Sequence, residues 1–424
     1  MTRRRLPGPR TDLRSAVAVP TSKSLTNRAI VAAAAAGGGR VERPLDCEDT
    51  RLLAEALAAA GWWVEWSGAI EVGARRPLAR AAVDLGNSGT GSRLLLGLFA
   101  CVPGSFRVDG SPRLRERPMA PLLGALGDLG AKLDSDRGRL PVTVEGRRLA
   151  GGAVRIRPGA SSQFVSSLLM AAPLMERGLE VEVEGPLPSR PYLDLTAEVL
   201  QAFGARVGNE GGRRWLVAPG GLGPTSYRVE GDWSAAAFAA AATAVAGGTV
   251  TVSPLSAASR QGDRAICRFL ERAGVTTAPS GDGLRVSGRI ARPFEADLVN
   301  TPDLFPALAV VAAAGPVGTV LRGLDHLGHK ESDRLAVMVA NLRRLGAELE
   351  VGPSSLRTLR RLRPVAGGGM AVTAASDHRI AMAMAVAALV VGPLELDDDA
   401  CVAKSFPRFW EMWDTLLEGA SAPP

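Results

Sequence analysis

Six times along this chain of 424 residues, a short polar clause runs into a helix of almost nothing but small apolar residues. The copies are "AVPTSKSLTNRAIVAAAAAGGG" (18–39), "GNSGTGSRLLLGLFACVPG" (86–104), "SSQFVSSLLMAAPLMERG" (161–178), "GDWSAAAFAAAATAVAGG" (231–248), "NTPDLFPALAVVAAAGPVG" (300–318) and "SDHRIAMAMAVAALVVG" (376–392). Their starts fall near 22, 87, 161, 232, 301 and 376, a spacing of roughly 65–75 residues. Each opens on Ser, Asn, Asp or Thr, the residues that cap helix N-termini, and most close on glycine. A second, amphipathic helix alternates with the first and usually ends in "LGA" or a variant, as in "MAPLLGALGDLGAKL" and "VMVANLRRLGAELE". It runs into a short strand; Lys132 stands at the start of one. The sixth candidate, "FPRFWEMWDTLLEG", closes the chain. A helix apolar all round is buried all round, so each unit has one interior and one exterior helix. The order strand, interior helix, strand, exterior helix, strands predicts an α/β (α+β) fold. Its period is too long for common solenoids, whose repeats run about 20–50 residues, and suits two globular domains of three units each.

Composition narrows the function classes. Hydrophobic content of 46% with 22% charged residues is that of a soluble globular chain. No apolar run reaches the ~18–20 residues that span a bilayer. No apolar segment follows the basic "MTRRRLPGPR", so no secretory signal is expected. Cys47, Cys101, Cys267 and Cys401 are scattered, without CxxC pairs, and read as buried reduced thiols of a cytoplasmic protein. A net charge of +7 suits either nucleic acid or a small anion. The densest basic run, "LRTLRRLRP" (356–364), has no interleaved aromatics, and aromatics are 4% of the chain. That is poor material for stacking bases, and the run reads as solvated surface.

Lysine is the sharper signal: Lys23, Lys132, Lys330 and Lys404 stand against 46 arginines. A compact ammonium fits a crowded anion site and moves a proton when its pKa is lowered, which a guanidinium does poorly. Lys23 sits in the polar clause before the first interior helix. Helix N-termini present free N–H groups and the positive end of the macrodipole, so they suit anions. The six clauses together supply Lys23, Ser24 and Arg28; Asn87, Gly89, Thr90 and Arg93; Ser161, Ser162 and Gln163; Asp303; and Asp377, His378 and Arg379. Most of these alone are ordinary caps. Arg28, Arg93 and Arg379, however, sit inside otherwise apolar helices, where an unpaired charge is expensive, so they are expected to meet partners or a ligand. Three further clauses carry charge: "RLRERP" (113–118), "HLGHKESDRL" (326–335) and "VAKSFPRF" (402–409). On a helix, Lys330 and Arg334 would share a face at i,i+4 with Glu331 beside them. The three histidines lack metal-ligand spacing, so no metal is expected.

Taken in order, "PTSKSLTNRA", "LGNSGTGSR", "RLRERP", "SSQFVSSLLMAAPL", "PSRPYLDLT", "VEGDWSAAAF", "HKESDRLA", "SDHRIAMA" and "VAKSFPRF" resemble the 5-enolpyruvylshikimate-3-phosphate synthase family from about residue 14 to 410. The UDP-N-acetylglucosamine enolpyruvyl transferases are less similar in these clauses and use a loop cysteine without a counterpart here. The resemblance implies two domains, each of three βαβαββ units. Residues 1–19 with 232–424 would form one and residues 20–231 the other, with an active site in the cleft between them. It implies transfer of an enolpyruvyl group from phosphoenolpyruvate to the 5-hydroxyl of shikimate 3-phosphate, with no metal or organic cofactor, in a cytoplasmic monomer that binds neither nucleic acid nor membrane.

By the same resemblance, Lys23, Ser24 and Arg28 contact the substrates. Ser161, Ser162, Gln163, Ser189, His326 and Lys330 match positions that hold shikimate 3-phosphate, with Tyr192 nearby and Asp303 also touching it. Gly89, Arg117, Gln163, Arg334, Arg379 and Lys404, with Lys23 again, match positions that hold phosphoenolpyruvate, with Asn87 supporting the loop. Asp303 and Glu331 match the proton-transfer carboxylates, with Lys23 as the third catalytic group. Two carboxylates suit a reaction that places one proton on a methylene carbon and takes another from a hydroxyl. Thr21, Leu94, Trp233, Pro306 and His326 depart from the family pattern. With Gly89 retained, the resemblance implies a phosphoenolpyruvate pocket open enough to admit the inhibitor glyphosate, an expectation that inhibition at fixed phosphoenolpyruvate tests. An enolpyruvyl transferase with another acceptor and a non-catalytic anion-sensing paralogue remain as alternatives, the second disfavoured by the retained Asp303 and Glu331.

Overall fold

Each alanine-rich stretch forms the helix its composition predicts in the computed structural model, which describes residues 2–159, 161–364 and 369–419. These interior helices are α1 (Lys23–Ala35), α2 (Gly89–Ala100), α3 (Gln163–Ala171), α4 (Trp233–Ala246), α5 (Phe305–Ala314) and α6 (His378–Val391). Every residue of α4 is buried, including Trp233. Leu94 is likewise core, and Pro306 falls in the first turn of α5, where no N–H is needed. The unusual residues at 94, 233 and 306 are therefore absorbed by packing.

The chain divides into two compact units, Met1–Pro20 with Glu230–Pro424, and Thr21–Val229. In the second unit α1, α2 and α3 pack on one another, and in the first α4, α5 and α6 do the same. Small side chains permit this closeness. At Gly97 of α2 an added Cβ would stand 2.5 Å from Ser167 Oγ and 2.6 Å from its carbonyl oxygen on α3. Each unit keeps its own apolar core.

Three sheets surround each helical centre. In one, Arg80–Asp84 runs parallel to Gly104–Asp109 with α2 as the crossover, and Arg139–Gly146 and Lys132–Asp136 follow antiparallel. The sheets at α3 and α5 repeat this order. Three sheets borrow a strand from far along the chain. Gly39–Glu42 takes Ser226–Arg228 as its parallel neighbour, and Gly248–Ser253 takes Leu13–Ala18. Among the described residues the sixth sheet has three strands, with Arg4–Leu6 antiparallel to Leu394–Leu396. Amphipathic helices cover the outside, including Glu48–Ala59, Pro191–Ala202, Arg334–Arg344 and the closing Phe409–Glu418.

Three details differ from the sequence reading. Among the six interior helices as described, only Ser88, Asp232 and Asp377 accept a side-chain capping bond; Ser22 and Ser162 make none, and α5 is entered through the turn Pro302–Leu304. Only Cys47 and Cys101 are buried, while Cys267 and Cys401 are half-buried. Lys330 precedes the helix Arg334–Arg344 rather than lying on it, so no i,i+4 face joins Lys330 to Arg334. The basic run is surface as expected: Leu356 and Thr358 point inward from the strand Ser355–Arg360, while Arg357 and Arg360 face Glu350 and Glu348. Among the described residues no helix is long and apolar enough to cross a membrane.

Candidate active site

In the Thr21–Val229 unit, the polar starts of α1, α2 and α3 carry an interlocked set of side chains. Lys23, first residue of α1, places Nζ 2.8 Å from the buried Asp49 carboxylate on the helix Glu48–Ala59. Arg28 is fully enclosed one turn further along. Its Nε donates to Thr196 Oγ1 (2.8 Å), Nη1 to the Ser24 carbonyl (2.9 Å), and Nη2 to Ser166 Oγ and the Tyr192 carbonyl. Burial lowers its pKa to about 10, with the nearby Tyr192 and Tyr227 opposing the fall, so it remains charged at neutral pH. Arg93 in α2 donates from Nη1 to Gln163 Oε1 (2.6 Å) and to Ser161 Oγ (3.4 Å), and Gln163 donates in turn to Thr90 Oγ1. Ser162 donates to the carbonyl of Ser189, a residue held at φ +59°.

Arg117 follows the short helix Pro112–Glu116, whose Arg113 and Arg115 are engaged outward by Glu116 and Asp109. Its own side chain is buried, and Nε and Nη1 have no hydrogen-bond partner among the described residues. The guanidinium lies on the Cα of Gly89: a Cβ there would meet Nη1 at 2.6 Å and Cζ at 2.7 Å. A buried guanidinium without full pairing is costly, and this one suits an anionic ligand.

The other unit concentrates charge around Arg334, the first residue of its helix, which is completely buried. Its Nε donates to Asp377 Oδ2 (2.9 Å), Nη1 to Asp303 Oδ1 (2.8 Å) and Nη2 to Glu331 Oε2 (2.8 Å). Arg379, in the first turn of α6, donates to the other oxygen of Asp303 (2.9 Å). One carboxylate is thus clamped by two arginines. Burial works to raise the Asp303 pKa, but Arg379, Arg334 and Lys330 outweigh it and hold the group well below the ordinary carboxylate range. Burial opposes the charge on Arg334, yet Asp377, Glu331 and Asp303 keep its pKa above the usual value. His326 is buried with Nε2 unpartnered; burial, then Lys330, lowers it to about 4, so it is neutral at pH 7. Lys404 is buried at the end of the turn Ala400–Lys404, which packs on α6.

The structure therefore brings Ser24 and Arg28 together, joins Ser161 to Gln163 through Arg93, and links Ser162 to Ser189 and Gly89 to Arg117. In the other unit it joins Asp303, Glu331, Arg334 and Arg379, with Lys330 and His326 close by. Arg28, Arg93 and Arg379 are buried with partners, as their positions in apolar helices require. Several participants were not singled out from sequence: Asp49, which holds Lys23, and Ser166 and Thr196, which hold Arg28. Asp49 had a faint signal in the acidic run "DCEDT"; a hydroxyl in an apolar helix, as at Ser166, was the signal for the others.

The family model for EPSP synthase (3-phosphoshikimate 1-carboxyvinyltransferase) matches residues 7–413. A 3-phosphoshikimate 1-carboxyvinyltransferase of Methanoculleus marisnigri is 42% identical over 94% of this chain and 95% of that protein. That of Syntrophobacter fumaroxidans is 40% identical over 96% of this chain and 98% of its own. Among solved structures, an EPSP synthase from Acinetobacter baumannii superposes with a TM-score of 0.78 at 27% identity, covering 97% of this chain and 98% of that one. The enolpyruvyl transferase NikO from Streptomyces tendae, at 21% identity, covers 99% of both chains with the same TM-score of 0.78 and shares the fold.

Proposed function

The chain belongs to the EPSP synthase family and moves the enolpyruvyl group of phosphoenolpyruvate to shikimate 3-phosphate in aromatic biosynthesis, and on that premise we propose how its own residues divide the work. Lys23, Ser24, Arg28, Ser161, Ser162, Gln163, Ser189, His326 and Lys330 hold shikimate 3-phosphate. Lys23, Gly89, Arg117, Gln163, Arg334, Arg379 and Lys404 hold phosphoenolpyruvate, whose carboxylate and phosphate need several cations in a small volume. Asp303 takes the proton from the acceptor's 5-hydroxyl as its oxygen attacks C2 of phosphoenolpyruvate, while a proton is added to C3. Glu331, with Lys23, serves the protons at the C3 end; loss of one of them with the phosphate restores the double bond. Residues of both units are assigned to the same pair of substrates, whose reacting groups they orient.

The observation that carries this reading is the double clamp on Asp303, with oxygens at 2.8 and 2.9 Å from Arg334 and Arg379. A carboxylate so held is a weak base. Phosphoenolpyruvate, bringing its own anionic groups to the same guanidiniums, competes for them and makes Asp303 more basic when the substrate is in place. The test is phosphate release with both substrates against each alone, in the native chain and in Asp303→Ala and Glu331→Gln. Both variants are expected to lose most turnover while keeping the fold; near-normal rates in both would remove the assignment.

The protein is read as a cytoplasmic monomer without nucleic-acid or membrane partners. Outward arginines on its sheets sit opposite glutamates, as Arg155 does with Glu182 and Arg214 with Glu180, which breaks up any continuous basic stripe. Gel filtration with light scattering tests the monomer.

A further inference from the structure

The turn that carries Asp303 packs on α4, and so does a second turn, whose carboxyl the transfer chemistry above does not use. Asp263 sits in the single turn Gly262–Ala265 and is 3% exposed. Its Oδ2 accepts a short hydrogen bond from the hydroxyl of Ser234, the second residue of α4, and its Oδ1 is buried with no partner. The turn is tied to the entry of α4. Gln261 accepts from the Trp233 N–H (3.1 Å) and donates to Glu230 and to the Gly231 carbonyl, and Ser259 donates to Glu230. This lacing fixes where the Asp263 side chain stands. The elements packed on α4 beside this turn bring charge to it: Asp303 from the turn before α5 and Arg379 from the first turn of α6 act on the Asp263 carboxyl, as does Asp232 at the cap of α4. A buried carboxyl with one oxygen unsatisfied is expensive to keep.

Resting on the assignment of Asp303 as the base, we infer that Asp263 is a positioning residue for the transfer: a second carboxyl on the Arg379–Asp303 cluster whose negative charge offsets the arginine clamp and so sets how readily Asp303 accepts a proton. Burial, with Asp303 adding to it, pushes the Asp263 carboxyl up to about 7, while Arg379 and the Ser234 hydroxyl hold it down. Ionised above that pH, Asp263 makes Asp303 the stronger base; protonated below it, Asp263 no longer offsets the field of Arg334 and Arg379.

The experiment follows phosphate release by the full chain with both substrates saturating, from pH 5.5 to pH 9, in the native protein, Asp263→Asn, Ser234→Ala and Asp303→Asn. The native kcat is expected to rise through neutrality. Asp263→Asn loses that rise and is slower by about tenfold at the alkaline end, with each KM within about twofold. Ser234→Ala, which removes the bond favouring the ionised form, moves the rise to higher pH. An Asp263→Asn profile that matches the native one, or that falls equally at every pH with the rise retained, overturns the inference and leaves a packing role. If Asp263→Asn does not fold, Ser234→Ala decides: a displaced rise supports the inference and an undisplaced one overturns it. Full turnover in Asp303→Asn removes the base assignment and this inference with it. A silent Asp303→Asn beside a native-like Asp263→Asn removes this inference alone.

Discussion

Gly89 and Arg117 show how one missing carbon sets a binding surface. The glycine is needed for closeness, because its Cα is the floor on which the Arg117 guanidinium rests. Gly89→Ala drives a methyl group into Nη1 and Cζ and displaces the cation; the expected result is a KM for phosphoenolpyruvate raised by about tenfold, and glyphosate inhibition weakened at fixed phosphoenolpyruvate, with melting temperature little changed. Asp303 yields a pH prediction of definite sign. Its folded-state pKa lies below its unfolded value of about 3.9, so its ionised form stabilises the fold above that pH, and the benefit is lost as pH falls toward the folded value. The melting-temperature gap between the native protein and Asp303→Asn should therefore shrink as pH is lowered from 5 to 2. Such residues were legible in sequence to different degrees. Lys23 stood out because lysine is rare here, and Arg28 because a charge inside an apolar helix demands an explanation. Asp49 and Asp263 did not, since an acid in a polar stretch looks like surface until the fold buries it.

At the scale of the element, the starts of the interior helices fall into two groups that sequence alone does not separate. Asp232 accepts from the N–H of Ala235, a true cap, whereas Ser22 at the equivalent place on α1 makes no capping bond. Asp232→Ala should cost about 1 kcal/mol, a fall of about 2–4 °C in melting temperature for a unit of this size, while Ser22→Ala should change it by less than about 1 °C; thermal unfolding of both variants checks the contrast. Within α4 the helix itself is intolerant, because every residue is buried and close-packed. Ala240→Leu forces several carbon atoms into that interior and should cost about 1–3 kcal/mol by overpacking, read from denaturant midpoints. The six interior helices and their alternation with amphipathic ones were plain in the sequence because burial on all sides leaves a composition no surface helix shares. Which serine caps, and where Lys330 stands relative to its helix, depend on one or two backbone angles that composition does not record.

For the whole molecule, the repeat of 65–75 residues was legible, and the borrowed strands were not, since the pairing of Leu13–Ala18 with Gly248–Ser253 joins segments with no sequence signal between them. The Thr21–Val229 unit is one continuous stretch with its own core and three complete sheets. Expressed alone, it should fold and melt cooperatively, followed by far-UV circular dichroism, and show no phosphate release with both substrates. Its counterpart is in two pieces, and this has a consequence for the chain as it leaves the ribosome. The strand Leu13–Ala18 is made before the intervening unit, yet its partner emerges only after it. At ~5–20 residues per second the leading strand waits roughly ten to fifty seconds with its edge open. Arg4–Leu6 waits longer still, for Leu394–Leu396. The order of synthesis thus lets the intervening unit mature first, with the strands Leu13–Ala18 and then Arg4–Leu6 sewn in after it.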